Sequence, residues 1–149
     1  MTLVEQSTDF QFSLWQGENF RPVNQFYRTQ KHKGSASGDD KVFIIQQESV
    51  IVGAVRLVPY SGYYWLRGLY IKNALQGKRL GSQLLDCVAA QISLPIYCFP
   101  YPHLDHFYSQ AHYQHVDENL LPDNIATLFE RYNRKGQGVL VMATNLAVS

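Results

Sequence analysis

The 149-residue sequence has almost no charge of one sign to spare: 13 Lys and Arg against 12 Asp and Glu leave a formal net charge of +1. No broad basic face is available to attract nucleic acid, so an anionic ligand must be held by local geometry. Cysteine is scarce as well. Cys87 and Cys98 are too few to staple a small secreted fold, and each lies in an apolar stretch, so both read as buried, reduced thiols. No apolar run approaches the roughly 20 residues that span a bilayer. There is no Asn-X-Ser/Thr glycosylation site, and the N-terminal MTLVEQSTDF lacks the basic-then-apolar pattern of a signal peptide. Also missing are Gly-x-x-x-x-Gly-Lys-Ser/Thr and Gly-x-Gly-x-x-Gly, which excludes a nucleoside-triphosphate P-loop and a dinucleotide fingerprint. These absences set the expectation of a cytoplasmic protein with a small-molecule or peptide partner, no nucleic acid and no membrane.

Hydrophobic residues make up 46% and charged residues 17%, the composition of an ordered globular chain. The length suits one domain over residues 1–149. Alternation in DFQFSLW (9–15) predicts a first strand with one buried face. Helical spacing of Phe20, Val23, Phe26 and Tyr27, with Pro22 in the first turn, predicts a helix over 18–31. The small, polar KHKGSASGDD that follows reads as an exposed loop. Residues 42–58 predict a hairpin turning at QQES, and YYWLRGLYI (63–71) a further strand after PYSG. A helix with an apolar stripe of Leu80, Leu84, Leu85, Val88 and Ala89 comes next, then a strand at IYCF (96–99). Helices over 103–113 and 121–132 and a strand at 138–144 complete a mixed, layered α/β pattern.

The most informative passage is the one from LRGLYI through LQGKRLGS into SQLLDCVAA. A strand that feeds a loop opening a helix brings unpaired backbone N–H groups to one place, where the helix dipole adds positive charge. Such a turn binds phosphate without help from net charge. Gly77 and Gly81 let a phosphate come close, Ser82 offers a hydroxyl, and Lys78 and Arg79 place cations at the rim.

Gln76-Gly77-Lys78-Arg79-Leu80-Gly81 resembles motif A of the GNAT acetyltransferase superfamily, Gln/Arg-x-x-Gly-x-Gly/Ala. Arg79 stands where the motif has its first glycine, an exchange that a helix start accommodates if only the backbone amide is used. VGAVRLVP (52–59) and LRGLYI (66–71) resemble the family's third and fourth strands, HLDHFYSQAHY its FYxxxGF helix, and the segments to VLVM its C-terminal end. The likeness runs over roughly residues 42–143.

The resemblance implies an α/β fold with a central mixed, mostly antiparallel sheet, helices on both faces, and a V-shaped splay between the strands at 63–71 and 96–99. It implies acetyl-CoA as acyl donor, with the pantetheine along the backbone of Leu69, Tyr70 and Ile71. The pyrophosphate falls on the amides of Gln76, Gly77, Lys78, Arg79, Leu80, Gly81 and Ser82. It implies N-acetylation of an amine by direct attack, with Tyr108 as the proton donor to the departing thiolate, and a homodimer. Tyr108 also lies on an apolar stripe with Leu104, Phe107 and Ala111. His112 stands where the helix motif has glycine, which predicts a different shape at that helix end. A non-catalytic acyl-CoA-binding module of the same fold is the alternative.

No carboxylate lies in YYWLRGLYI to act as base; Asp105, His103, His106 and Glu18 are candidates, with none preferred over a water relay. Four of the five histidines fall in 103–115, but zinc sites draw on a tighter Cys/His set, so no metal is expected. Tyr60, Tyr63, Tyr64 and Trp65 beside a Gly turn could line an acceptor pocket.

Overall fold

A computed structural model describes residues 9–146. The first eight residues, on which the reading of the N-terminus partly rests, lie outside the described residues. One seven-stranded sheet runs in the order β1-β2-β3-β4-β5-β7-β6, and four α-helices accompany it. By compactness the chain divides into two units: the chain up to Arg56 with Gly68–Val88, and Leu57–Arg67 with the chain from Ala89 onward.

In the first unit, β1 (Gln11–Leu14) pairs antiparallel with β2 (Lys41–Gln47), Gln11 opposite Gln46 and Leu14 opposite Phe43. At the sheet edge β1 does not keep the expected alternation: Phe12, Ser13 and Leu14 are all half-buried. Helix α1 (Arg21–Thr29) is shorter than the sequence pattern suggested but carries Pro22 in its first turn and buries Val23, Phe26 and Tyr27. The Asn19 side chain takes up one of its unpaired donors, accepting from the Arg21 amide at 2.9 Å. Val23, Phe26 and Tyr27 pack with Val42, Ile44 and Ala54. Phe43 and Ile45 are equally buried and by strand alternation face the other side of β2.

The turn from β2 into β3 (Val50–Tyr60) is tighter than QQES implied. Only Glu48 and Ser49 lie in it, with φ of 51° and 68°. Positive φ at both central residues is the type I′ geometry that matches strand twist. The segment 31–40 is not simply an exposed loop. Ala36 is buried, its amide donates to Asn24 Oδ1 at 2.7 Å, and Asn24 Nδ2 donates back to the Ala36 carbonyl at 3.0 Å.

β4 (Tyr63–Ile71) follows a two-residue turn with Gly62 at φ 90°, and α2 (Leu80–Gln91) buries Leu80, Leu84, Leu85 and Val88. Ala89, expected on that stripe, is exposed. In the second unit β4 pairs parallel with β5 (Ile96–Cys98) at Tyr64↔Ile96 and Trp65↔Tyr97. β7 (Met142–Thr144) pairs antiparallel with β5 and with the two-residue β6 (Gln114–His115), a strand too short to leave a sequence signal. The helix expected over 103–113 is a 3₁₀ turn at Pro102–Leu104 followed by α3 (Asp105–Gln110). α4 (Asp123–Arg134) begins directly after Pro122. Its Ile125 packs with Trp65, Tyr97 and Ala143, and its Phe129 with Val139 and Val141.

Candidate active site

The turn between β4 and α2 is built from its own side chains. A 3₁₀ turn at Asn73–Leu75 follows the strand. Gln76 then folds back: its Nε2 donates to the Ile71 carbonyl at 2.8 Å and to Asn73 Oδ1 at 3.1 Å, and its own amide donates to the Asn73 carbonyl at 3.2 Å. Gln76 therefore braces the turn, and its N–H is already taken. Beyond it, Gly77 has φ 82° with open space where a Cβ would sit. Arg79 has φ 64°, so it lies before the helix in a left-handed conformation. The expectation that this position is an ordinary helix start is corrected. Arg79 is held in a conformation ordinarily left to glycine, at a cost of about 1 kcal/mol or more for an L-residue.

Alternating left-handed residues aim successive N–H groups into one concavity. Among the described residues, the first amide here to find a helical acceptor is that of Gln83, which donates to the Arg79 carbonyl at 3.1 Å; those from Gly77 to Ser82 make no backbone hydrogen bond. Leu80 is buried and pins the helix start, Lys78 and Arg79 are exposed, and Gly81 and Ser82 are half-buried. On the strand before the turn, Leu69 and Tyr70 are half-buried and Ile71 is buried. Tyr70 sends its hydroxyl to Asn73 Oδ1 at 3.3 Å.

Three residues of the first unit carry structure that the sequence reading passed over. Gly68, inside β4, has φ 63°, the conformation of a bulge residue that bends a strand. A Cβ there would stand 3.0 Å from both Arg56 Nε and Tyr27 Oη, so no side chain fits without a shift. Tyr27 fixes the bend by donating from its hydroxyl to the Gly68 carbonyl at 2.7 Å. Arg56 is only 5% exposed; its Nη1 donates to the Ser35 carbonyl at 2.6 Å and lies 3.8 Å from Asp40 Oδ2. A lone glycine in an apolar strand and a lone arginine in VGAVRLV were the available signals.

In the second unit, Tyr108 on α3 is 6% exposed, with Phe107 at 5.1 Å and Tyr113 at 5.5 Å in edge-on ring contacts. Burial, reinforced by the neighbouring Cys98, pushes its hydroxyl well above the ordinary phenol range. It is fully protonated at neutral pH. Among the described residues nothing accepts its proton. His112 has φ 70°, a left-handed conformation at the end of the helix. Asp105 is engaged: His115 Nε2 lies 3.0 Å from each of its oxygens and Ser109 Oγ donates to it at 3.1 Å. His103 stacks on Tyr101 with 6.0 Å between ring centres, while His106 and Glu18 are exposed. No group of three or more His, Cys, Asp or Glu is placed to hold a metal among the described residues. Neither cysteine forms a disulfide among the described residues; Cys98 is buried as expected, whereas Cys87 is only half-buried. No helix among the described residues is long and apolar enough to cross a membrane.

Of the four aromatic residues considered for an acceptor pocket, Tyr64 and Trp65 are buried. Tyr60 and Tyr63 stack on one another at 5.3 Å with only 10° between ring planes.

Residues 38–115, just over half of the chain, match the acetyltransferase (GNAT) domain family. No curated protein matches the sequence. Among solved structures, the chain is similar to an aminoglycoside 6'-N-acetyltransferase complexed with coenzyme A: TM-score 0.66 at 13% identity, over 93% of this chain and 98% of that one. It is similar to an acyl-CoA N-acyltransferase from Pseudomonas aeruginosa, with TM-score 0.63 at 14% identity, over 91% and 99% of the two chains. It is also similar to N-acetylglutamate synthase from Neisseria gonorrhoeae complexed with coenzyme A and N-acetyl-glutamate, with TM-score 0.65 at 14% identity. That match covers 92% of this chain but spans only 35% of the synthase. At such identities these likenesses establish the fold, while the domain match over residues 38–115 establishes kinship. The chain belongs to the GNAT acetyltransferase family.

Proposed function

We propose that the chain works as one N-acetyltransferase domain, moving the acetyl group of acetyl-CoA to a primary amine within a ternary complex. One observation carries the reading: the amides from Gly77 to Ser82, arranged by left-handed Gly77 and Arg79, have no backbone partner among the described residues. Gly77, Lys78 and Arg79 are exposed, while Leu80, Gly81 and Ser82 are buried or half-buried, where an unpaired N–H needs an acceptor. A diphosphate supplies several at once, each as a charge-assisted bond. The backbone of Leu69–Ile71 takes the pantetheine arm.

In the reaction the amine lone pair attacks the thioester carbonyl, the carbon–sulfur bond breaks, and the electron pair leaves on the CoA sulfur. Tyr108, without a competing acceptor among the described residues, donates its hydroxyl proton to that thiolate; burial makes this hydroxyl a weaker acid than a free phenol, so the transfer depends on the thiolate forming directly beside it. β4 carries no carboxylate, so the amine's proton leaves through water. The chain acts in the cytoplasm, and family resemblance supports a homodimer.

Calorimetry with CoA and acetyl-CoA tests the first step, and an amine panel read by release of the CoA thiol tests the second. Tyr108→Phe separates enzyme from binding module. Turnover falling at least about a hundredfold with unchanged CoA affinity identifies the acid. Absence of CoA binding by folded protein ends the proposal.

A further inference from the structure

Two arginines interrupt the apolar strands of this chain, and they are not equivalent. Arg56 has a carboxylate beside it: its Nη1 donates to the Ser35 carbonyl and lies 3.8 Å from Asp40, while its buried Nε has no partner among the described residues. Arg67 is half-buried on β4, and no carboxylate pairs with it among the described residues. Arg67 is instead held rigid by neutral groups. Its guanidinium carbon lies 4.3 Å over the Trp65 ring, and its Nη2 donates to the Tyr132 hydroxyl at 2.8 Å. Trp65 is fixed in turn by Phe99 and Tyr132, whose rings lie 5.5 and 6.1 Å from its own. The Tyr60 hydroxyl, pushed up chiefly by burial and then by Tyr63, feels the Arg67 charge as an opposing pull. Tyr60 and Tyr63 pack against the same buried cluster that contains Trp65, the ring under the Arg67 guanidinium.

Guanidinium offers five N–H donors in a planar fork, and Tyr132 uses one. The remainder suit a carboxylate, which a fixed fork can bind through two parallel bonds. We propose that Arg67 is the recognition group for a carboxylate on the amine acceptor, making the acceptor a small amino acid with its side chain against the tyrosine stack. This rests on the acyl-transfer reading above. An acceptor carboxylate also supplies the negative charge that Arg67 lacks, so binding completes a pair that folding leaves open.

The test compares matched acceptors, each an amino acid and the amine left by its decarboxylation: phenylalanine and phenethylamine, tyrosine and tyramine, histidine and histamine, lysine and cadaverine. With acetyl-CoA saturating, kcat/KM for at least one amino acid is expected to exceed that of its partner amine by about tenfold to a hundredfold, the range for a bond to a charged group. In Arg67→Gln that ratio falls toward one while the KM for acetyl-CoA stays put. If Arg67→Gln does not fold, Tyr132→Phe frees the guanidinium without removing it, and the ratio is expected to fall about threefold or more. Equal use of all four pairs by the unmutated protein, or a ratio that survives these substitutions, overturns the assignment while leaving N-acetylation standing. If no amine releases thiol, the acyl-transfer reading fails separately. Calorimetry with N-acetylphenylalanine and N-acetylphenethylamine then decides the site: selective binding of the carboxylate supports it, and binding of neither overturns it.

Discussion

Replacing Arg79 by glycine and by valine separates the backbone of the phosphate turn from its side chains. Arg79 holds φ 64°, where an L-residue is strained by about 1–2 kcal/mol. Glycine relieves that strain but frees the unfolded chain, which offsets about 0.4–1 kcal/mol. Arg79→Gly is therefore expected to match the unmutated stability or exceed it by up to about 1 kcal/mol. Valine, branched at Cβ, cannot adopt this φ cheaply, and Arg79→Val is expected to lose about 1–3 kcal/mol in urea unfolding.

The same pair of variants should diverge in ligand binding. The Arg79 side chain is exposed, and an exposed, screened charge contributes about 1 kcal/mol at most, less than about fivefold in Kd. A backbone N–H on a phosphate oxygen is worth about 1.5–3 kcal/mol, or roughly tenfold to a hundredfold. If the residue leaves the left-handed region, its amide and that of Leu80 turn away together. Titration calorimetry with CoA is thus expected to show Arg79→Gly within about fivefold of the unmutated protein and Arg79→Val weaker by tenfold or more. Equal weakening in both variants would refute the reasoning, because the guanidinium and not the main chain would then be holding the phosphate.

Three further outcomes follow from single contacts. Burial raises the hydroxyls of Tyr27, Tyr108 and Tyr113 above their ordinary 10.0 and the thiol of Cys98 above its ordinary 9.0. The folded state keeps protons that the unfolded chain releases. Stability is then complete below these values and falls as pH rises through them, by about 1.4 kcal/mol per pH unit for each group. Urea unfolding that is flat from pH 8 to pH 11 would contradict it. Tyr27→Phe strips the Gly68 carbonyl of its 2.7 Å donor and is expected to cost about 1–3 kcal/mol by the same assay. Exchanging Glu48-Ser49, both left-handed in the β2–β3 turn, for Asn-Gly is expected to raise stability by about 1 kcal/mol or more, read as a higher urea midpoint at unchanged slope.

What could be read in advance was periodic or local. Val23, Phe26 and Tyr27 fall at helical spacing, and all three are buried. The β-branched runs on either side of Glu48 became paired strands because each apolar residue favours the same pleated state on its own. The turn proposed to hold the phosphate stood out because glycines, a helix start and an apolar stripe occur close together in the chain. The rest depends on partners that no window contains. Tyr27 meets Gly68 across 41 positions, and Arg67 meets Tyr132 across 65. Nothing in the periodicity of either segment announces the other. The segment 31–40 looked like solvent-exposed loop because its composition is polar, yet Ser35 and Asp40 are spent on one buried guanidinium.

Arg79 and His112 sharpen the distinction between residue type and backbone state. At both, a side chain occupies a position that the family pattern gives to glycine, and at both φ is positive, 64° and 70°. Identity alone would suggest that the turn and the helix end had changed. The left-handed conformations are held because neighbours impose them. Buried Leu80 anchors the first residue of α2 immediately after Arg79. At the other site the His112 amide donates to Ser109, the Tyr113 amide to Tyr108, and Thr144 Oγ1 to the His112 carbonyl, at 3.1, 3.0 and 3.0 Å. Glycine makes such a geometry inexpensive, but packing and hydrogen bonds can hold another residue in it for one or two kcal/mol. A glycine motif is therefore better treated as a statement about where amides point, and a sequence that departs from its letters can still satisfy it.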